Sequence, residues 1–326
     1  MQVKFKIEVN GADITAKVQD RLLSLTVTDN QGIESDSYQL ELDNRDDALA
    51  IPPTGASVQL YAGIDKLEFL GHYTVDTVRE SGQVRTLTLS GSSADLTSRL
   101  KSHRQQSWDN TTLENVLSEI SSRHGLTLAL HDDYKLIEIE HIDQTAESDL
   151  GLINRLADEY NALFKIADQR LIFTKKQAGE TLVGQSIPVQ TLNPFDVLSW
   201  DYQQSERSEV TQVKAKWRSV IKSDEQWEVA GEDGVTHIIN RQHRTRQDAI
   251  TAAKSKLSQL KSGQETLSLN LVVTPKTPLI RAEHRFSLQG LSSATSGIWL
   301  AKTVTHTLTS QGYALRIEAL KPAQAF

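Results

Sequence analysis

The sequence predicts a mainly β protein with an α+β insertion, in which two β-barrel or sandwich domains flank a small α+β module. Three observations predict it. Up to about Leu100, apolar and polar side chains alternate with a period of two, in short runs separated by turn-forming clusters. After Arg99 the apolar residues fall at the three-and-four spacing of amphipathic helices. From Ile187 the two-residue alternation returns. The expected units are residues 1–100, a first β domain; 101–186, the α+β module; and 187–326, a second β domain with one helix.

In the first unit Val3, Phe5, Ile7 and Val9 mark a strand that ends at the tight-turn pair Asn10-Gly11. Asp13 to Leu49 is the stretch around which this unit is organised. Leu23, Leu25 and Val27 share one parity, Tyr38, Leu40 and Leu42 another, and Asp29-Asn30-Gln31-Gly32 turns the chain between them. Pro52-Pro53 interrupts the pattern, since proline supplies no ladder donor. Strands resume at Val58, from Leu67 to Thr77, and from Val84 to Ser90 after the Ser81-Gly82 turn.

In the middle unit Thr111 and Glu114 form a capping-box pair for a helix with Leu113, Val116, Leu117 and Ile120 on one face, and Gly125 is placed to close it. A strand follows over Leu126–Leu130. A second helix opens near Ser148 and stops at Asn161, before a hairpin of 163–166 and 170–174 around Asp168-Gln169. In the last unit strands are expected over 197–203, 209–217, 226–229, 266–273, 298–307 and 313–320. One helix, 247–261, is capped by Thr245 and Asp248 and ended by Gly263.

The 326 residues allow two or three domains. With 35 Lys and Arg against 42 Asp and Glu, the net charge of −7 argues against gripping a phosphate backbone, and no basic run overrides it. The absence of cysteine excludes disulfides and thiolate metal sites. The N-terminus lacks the apolar core of a signal peptide, and no run approaches the ~18 apolar residues of a membrane helix. These features predict a soluble chain made in the cytoplasm, with no membrane partner.

Catalytic patterns are sparse. His131, Asp132, Asp133, His141 and Asp143 form the best local constellation for a metal, but their spacing fits a turn followed by a strand edge. Ser90-Gly91-Ser92-Ser93 lacks the second glycine of a nucleophile elbow, and no phosphate-binding glycine loop occurs. Glu34, Asp36, Asp43, Asp46 and Asp47 offer carboxylates for glycan cleavage. Aromatics are few, however, and these acids lie at turns, where aspartate caps backbone donors. Trp108, Trp200, Trp217, Trp227 and Trp299 are scattered; their strand positions in the last unit point to core packing, with an interface role open for one or two. No catalytic, cofactor-binding or metal residue is assigned, and no cofactor is expected.

Several segments, in order, carry a resemblance. They are Asp13-Ile14-Thr15 with Leu22 to Asp29, Gly32 to Asp36, the Asp43-Asn44-Arg45-Asp46 turn, and Gln144 with Glu147-Ser148-Asp149-Leu150 and Arg155-Leu156-Ala157. Gly297-Ile298-Trp299, Val304-Thr305-His306 and Gly312-Tyr313 complete the pattern. The chain resembles the phage late control gene D protein family, the baseplate hub of contractile tails, related to the base of type VI secretion spike proteins. The resemblance implies that the two β domains are tail-tube-like. It implies a structural, non-enzymatic homotrimeric ring joining the hexameric tail tube to the trimeric tail spike, beside other baseplate or tape-measure proteins. It also implies a place in the virion tail baseplate, no specific nucleic-acid binding, and a lumen through which DNA can pass; the net charge of −7 suggests that acids line this lumen and repel the DNA backbone. Arg281-Ala282-Glu283-His284 departs from a glycine-containing turn of that family. The end at Phe326, with no spike extension, suggests a stand-alone hub. A tail-tip peptidoglycan hydrolase and a carbohydrate-binding module are the competing expectations.

Overall fold

The structure, a computed structural model, describes residues 3–32, 34–93, 100–167, 169–176, 181–205, 210–218, 225–243, 245–261 and 265–322. It is mainly β with an α+β insertion, as the alternation predicts.

The chain opens with β1 (Val3–Val9), β2 (Ala12–Asp13), a short helix α1 (Thr15–Val18), β3 (Leu22–Asn30), β4 (Ser37–Asp43), β5 (Ser57–Ile64), β6 (Glu68–Ser81) and β7 (Thr86–Ser92). Asn10 and Gly11 both take positive φ, 50° and 79°, which gives the turn between β1 and β2 a twist matching its strands. Tyr38, Leu40 and Leu42 face inward as expected, with Leu25 and Val27 opposite them. Leu23 does not. A bulge between Leu22 and Ser24 inserts one residue into β3, so Leu23 turns outward and Leu22 packs on the core instead. Gly91 in β7 lets β6 approach closely, since a Cβ there would stand 1.7 Å from the Thr74 carbonyl oxygen.

The middle of the chain comprises β8 (His103–Thr112), α2 (Leu113–Arg123), β9 (Thr127–Leu130), the one-turn α3 (Asp132–Lys135), β10 (Glu138–Ser148), α4 (Asp149–Glu159), β11 (Ala162–Ala167) and β12 (Arg170–Lys175). Thr112, one residue later than expected, caps α2 by accepting from the Asn115 N–H; Gly125 follows its end at φ 69°. Ser148 caps α4 and Asn161, at φ 51°, ends it. β11 and β12 form the expected hairpin, with β9 added parallel to β12. Asp168 at its tip lies outside the described residues. Leu113, Leu117, Leu152, Ile153 and Phe173 are buried together beneath this sheet, each worth about 1.5–3 kcal/mol. The antiparallel β8–β10 pair was not predicted, because β8 has no apolar alternation.

The last part contains β13 (Gln190–Leu192), β14 (Val197–Gln204), β15 (Val210–Arg218), β16 (Glu225–Gly231), β17 (Val235–His243), α5 (Arg246–Lys261), β18 (Glu265–Val272), β19 (Arg285–Leu288), β20 (Gly297–Thr309) and β21 (Gly312–Leu320). Thr245 caps α5 as expected, and its proposed stop, Gly263, lies outside the described residues. β15, β16 and β17 form a separate small sheet that packs Val213 and Ala215 against Ala249, Ala253 and Leu257 of α5.

The two β regions share one sheet. β3 pairs antiparallel with β20, from Ser24 opposite Thr309 to Asn30 opposite Thr303. Thirteen strands result, running β14-β18-β21-β20-β3-β4-β7-β6-β5-β1-β2, with β19 also on β20 and β13 on β19. Two cores lie along it. One is built around Leu25, Leu40, Leu60 and Tyr73, the other around Leu269, Phe286 and Trp299. Besides the short ends at β13, at β2 and at residues 3–7 of β1, the described residues leave open edge at β14, which pairs only with β18, and at Asp76–Ser81 of β6, which extends past the end of β5. β14 carries Leu198 and Trp200 at 69% and 44% exposure, large apolar surfaces on an open edge.

Candidate functional site

The acids that invited a catalytic reading separate into two groups. Arg21 grips Asp46 with two hydrogen bonds of 2.5 and 2.6 Å, Arg45 pairs with Asp43, and Arg85 holds Asp47 at 3.0 Å. Arg21 draws the Asp46 carboxyl well below the usual carboxylate range. Glu34 is exposed. Asp36 leaves this group and enters a buried polar junction with Asp29.

There the ammonium of Lys165, on β11, donates to Asp29 Oδ1 at 2.8 Å, to the Asn30 carbonyl at 2.8 Å and to Asp36 Oδ1 at 2.9 Å. Three donors meet three acceptors, so the ammonium is fully satisfied. The other Asp29 oxygen accepts from the Ala282 N–H at 3.0 Å, and Gln31 Nε2 donates to Glu283 Oε2 at 3.0 Å. Lys165 thus ties the α+β module to the β3–β4 turn, and that turn to the segment before β19. The side chains of Lys165, Asp29 and Asp36 are only 13%, 11% and 14% exposed. Beside them opens a cleft of about 350 Å³, between the module and the sheet.

Burial and the nearby Asp29 charge push the Asp36 carboxyl up to about 6, against the pull of Lys165. Burial also opposes ionisation of Asp29, but Lys165, the Ala282 N–H and Arg281 together hold it below its ordinary value. Burial lowers the Lys165 ammonium and the two carboxylates more than offset that, leaving it raised. Glu283 stands at φ 70°, the left-handed region that glycine enters freely and glutamate does not. Burial raises its carboxyl to about 7 in spite of Gln31, Lys165 and Lys176. Glu283 thus brings a third carboxyl group to the junction.

The remaining candidates stay apart. His131 caps α3 through its Nδ1, while Asp132 and Asp133 pair with Lys135 and Lys175 at 2.6 Å. His141 lies exposed on the β8–β10 pair between Asp109 and Asp143, at 2.6 and 2.9 Å, and its side-chain bonds to both raise its pKa. Among the described residues no group of three or more His, Asp and Glu is placed to hold a metal ion. Ser90 to Ser92 lie within β7, and the Ser92 hydroxyl donates to Asp76 at 2.7 Å. Trp299 is fully buried, its indole N–H on the Thr295 carbonyl, whereas Trp200 and Trp227 are each 44% exposed. Sequence reasoning missed Lys165 and Glu283. The available signals were a lysine inside the apolar run Ala162–Ala167, and an aspartate, Asp29, in phase with buried Leu25 and Val27.

This arrangement ties the α+β module to the sheet. A family model described as phage tail baseplate hub (GPD) matches residues 31–312. The chain belongs to the phage tail baseplate hub family. It is 37% identical over 215 residues to the probable baseplate hub protein of Escherichia phage 186, and 33% identical over 215 residues to that of Escherichia phage P2. Each match covers 65% of this chain, which spans only a little over half of those relatives, 55% and 56%. Among solved structures, a 43 kDa tail protein of prophage MuSo2 from Shewanella oneidensis superposes with a TM-score of 0.75 over 99% of both chains at 15% identity. The E. coli c3393 protein, a component of the type VI secretion system, superposes with a TM-score of 0.59 at 15% identity, covering all of this chain and 77% of that one. At such identities these structures share the fold alone. Hubs of this family are components of the virion tail baseplate.

Proposed function

We propose that this hub assembles as a homotrimeric ring that joins a hexameric tail tube to a trimeric central spike, and that it acts by structure without catalysis. On this reading residues 1–100 and 187–326 are two tube-like domains, 101–186 is the module between them, and other baseplate or tape-measure proteins are further partners. The observation that carries it is the continuous thirteen-stranded sheet with unpaired edge at β14 and at Asp76–Ser81 of β6. Two different edges at separated points of one sheet suit head-to-tail pairing between copies, which closes into a ring when the rotation per copy allows it. Two similar β halves in each of three copies would present six comparable units to a six-fold tube. Exposed Leu198 and Trp200 on the β14 edge are the kind of apolar surface that such a contact covers.

Light scattering tests it. The wild-type chain is expected to trimerise, alone or with spike protein added. The double variant Leu198→Lys, Trp200→Lys is expected to remain monomeric with an unchanged circular-dichroism spectrum, since both side chains already face solvent. A wild-type chain that stays monomeric with tube and spike proteins present overturns the ring. Sustained release of soluble fragments from purified peptidoglycan would favour the hydrolase instead.

A further inference from the structure

Lys165 and the three carboxyl groups around it do more than fix two parts of the chain together. Their charges do not balance in every protonation state. With Asp29 ionised and both Asp36 and Glu283 neutral, one ammonium faces one carboxylate. With all three ionised, one ammonium faces three carboxylates in a largely water-excluded space, where like charges repel strongly. Glu283 Oε1 is buried and has no hydrogen-bond partner, so its ionised form would lack the donors that a buried carboxylate needs.

Two further cations reduce this imbalance from longer range, Arg281 acting on Asp29 and Lys176 on Glu283, but neither hydrogen-bonds to a carboxyl of the cluster. From the segment before β19, Arg281 binds the Phe69 carbonyl, and burial and Arg281 push the His284 imidazole below its ordinary value. From β20, His306 is almost completely buried, pushed down to about 4 by burial, and bonded to the Tyr313 hydroxyl at 2.6 Å. Lys176, just past β12, acts on Glu283 at a distance. His72 of β6 lines the cleft but is bonded to Ser57 at 2.7 Å, and Arg170 and Lys175 stand on its wall in β12.

We propose that the docking of the α+β module on the thirteen-stranded sheet is a proton-linked lock, closed when Glu283 and Asp36 are neutral and loosened when they ionise around Lys165. The lock is internal to one chain and does not depend on the ring. Its sign follows from linkage. A carboxyl raised in the docked state holds its proton to higher pH there than in the opened state, so docking weakens as pH rises from the free value toward the docked one. For Glu283 that window runs from 4.5 to about 7, and for Asp36 from 3.8 to about 6.

Hydrogen exchange of the wild-type chain, corrected for the intrinsic pH dependence of amide exchange, reads the lock directly. Opening of the 162–167 strand is expected to rise roughly a hundredfold between pH 5.5 and pH 8, the larger part of it from Glu283, while the β3 and β20 amides far from the junction keep their protection. Glu283→Gln keeps an amide near Gln31 and cannot ionise, and is expected to flatten most of that rise. Equal protection of 162–167 at the two pH values in the wild type overturns the proposal, even if the variant fails to fold. An undiminished pH response in a folded Glu283→Gln protein overturns the role of Glu283. Because the measurement is made on one chain's own strands, a negative result leaves ring assembly to be judged by light scattering.

Discussion

Between Asp29 and Asp47 the chain sets two kinds of carboxylate side by side. At Asp46 and Asp47 each acid meets an arginine at the surface, where water and salt screen the charges and either partner can be solvated alone, and Asp43, itself only 12% exposed, pairs with an Arg45 that is 76% exposed. At Asp29 and Asp36 two acids share one lysine with side chains no more than 14% exposed. The residue types are nearly the same. The location decides the consequence: an outer pair tidies a turn, while the inner cluster determines whether a module remains docked. Removing one member of a buried cluster leaves its partners charged and dry, and that is where the cost lies.

The largest effect is therefore expected from Lys165→Met, which strands two buried carboxylates. It should cost about 3–5 kcal/mol at pH 7, measured by urea unfolding. The two aspartates then separate the cluster further. Asp29 is held below its ordinary value, so it contributes stability above pH 3.8 that is lost as pH falls through its docked value. Asp29→Asn should cost about 1.5–3 kcal/mol at pH 7, and progressively less as the pH is lowered below 3.8. Asp36 touches the same ammonium, yet its carboxyl is pushed up to about 6. Asp36→Asn should change stability at pH 7 by less than about 1 kcal/mol, or raise it. Equal losses in the two Asn variants would mean that the aspartates share the lysine evenly, contrary to their different surroundings.

How much of this was legible in the sequence follows from which interactions are local. The strands of the first 100 residues were legible because one face meets a core, and burial writes a period of two into Tyr38, Leu40 and Leu42. Helix ends at Ser148 and Asn161 were legible because capping uses neighbours. The bulge at Leu23 was not, since it depends on the register of the partner strand. Nor was β8. It reaches the core through one large side chain, Trp108 opposite Ile142, while pairs such as Ser107 opposite Asp143 and Asp109 opposite His141 are polar, so no apolar alternation marks it. The junction was half legible. Asp29 breaks the polarity pattern of its own strand, but its partner lies 136 residues away, and only the folded topology brings Lys165 to it.

The smallest expected effect tests the other side of the comparison. Arg21 and Asp46 form a bidentate pair with bonds of 2.5 and 2.6 Å, better aligned than most surface pairs, and the arginine also reaches the Asp43 carbonyl at 3.3 Å. On bond lengths alone this pair should rank with Lys165. Its side chains are nevertheless 26% and 50% exposed, so either group recovers hydration when the other is removed. Arg21→Ala is thus expected to lower the melting temperature only slightly. That difference should vanish near 1 M salt, where charges are screened over about 3 Å, while the loss from Lys165→Met persists. If Arg21→Ala proved as costly and as salt-resistant as Lys165→Met, hydrogen-bond geometry rather than burial would govern both sites. The distinction drawn between the turn and the junction would then fail.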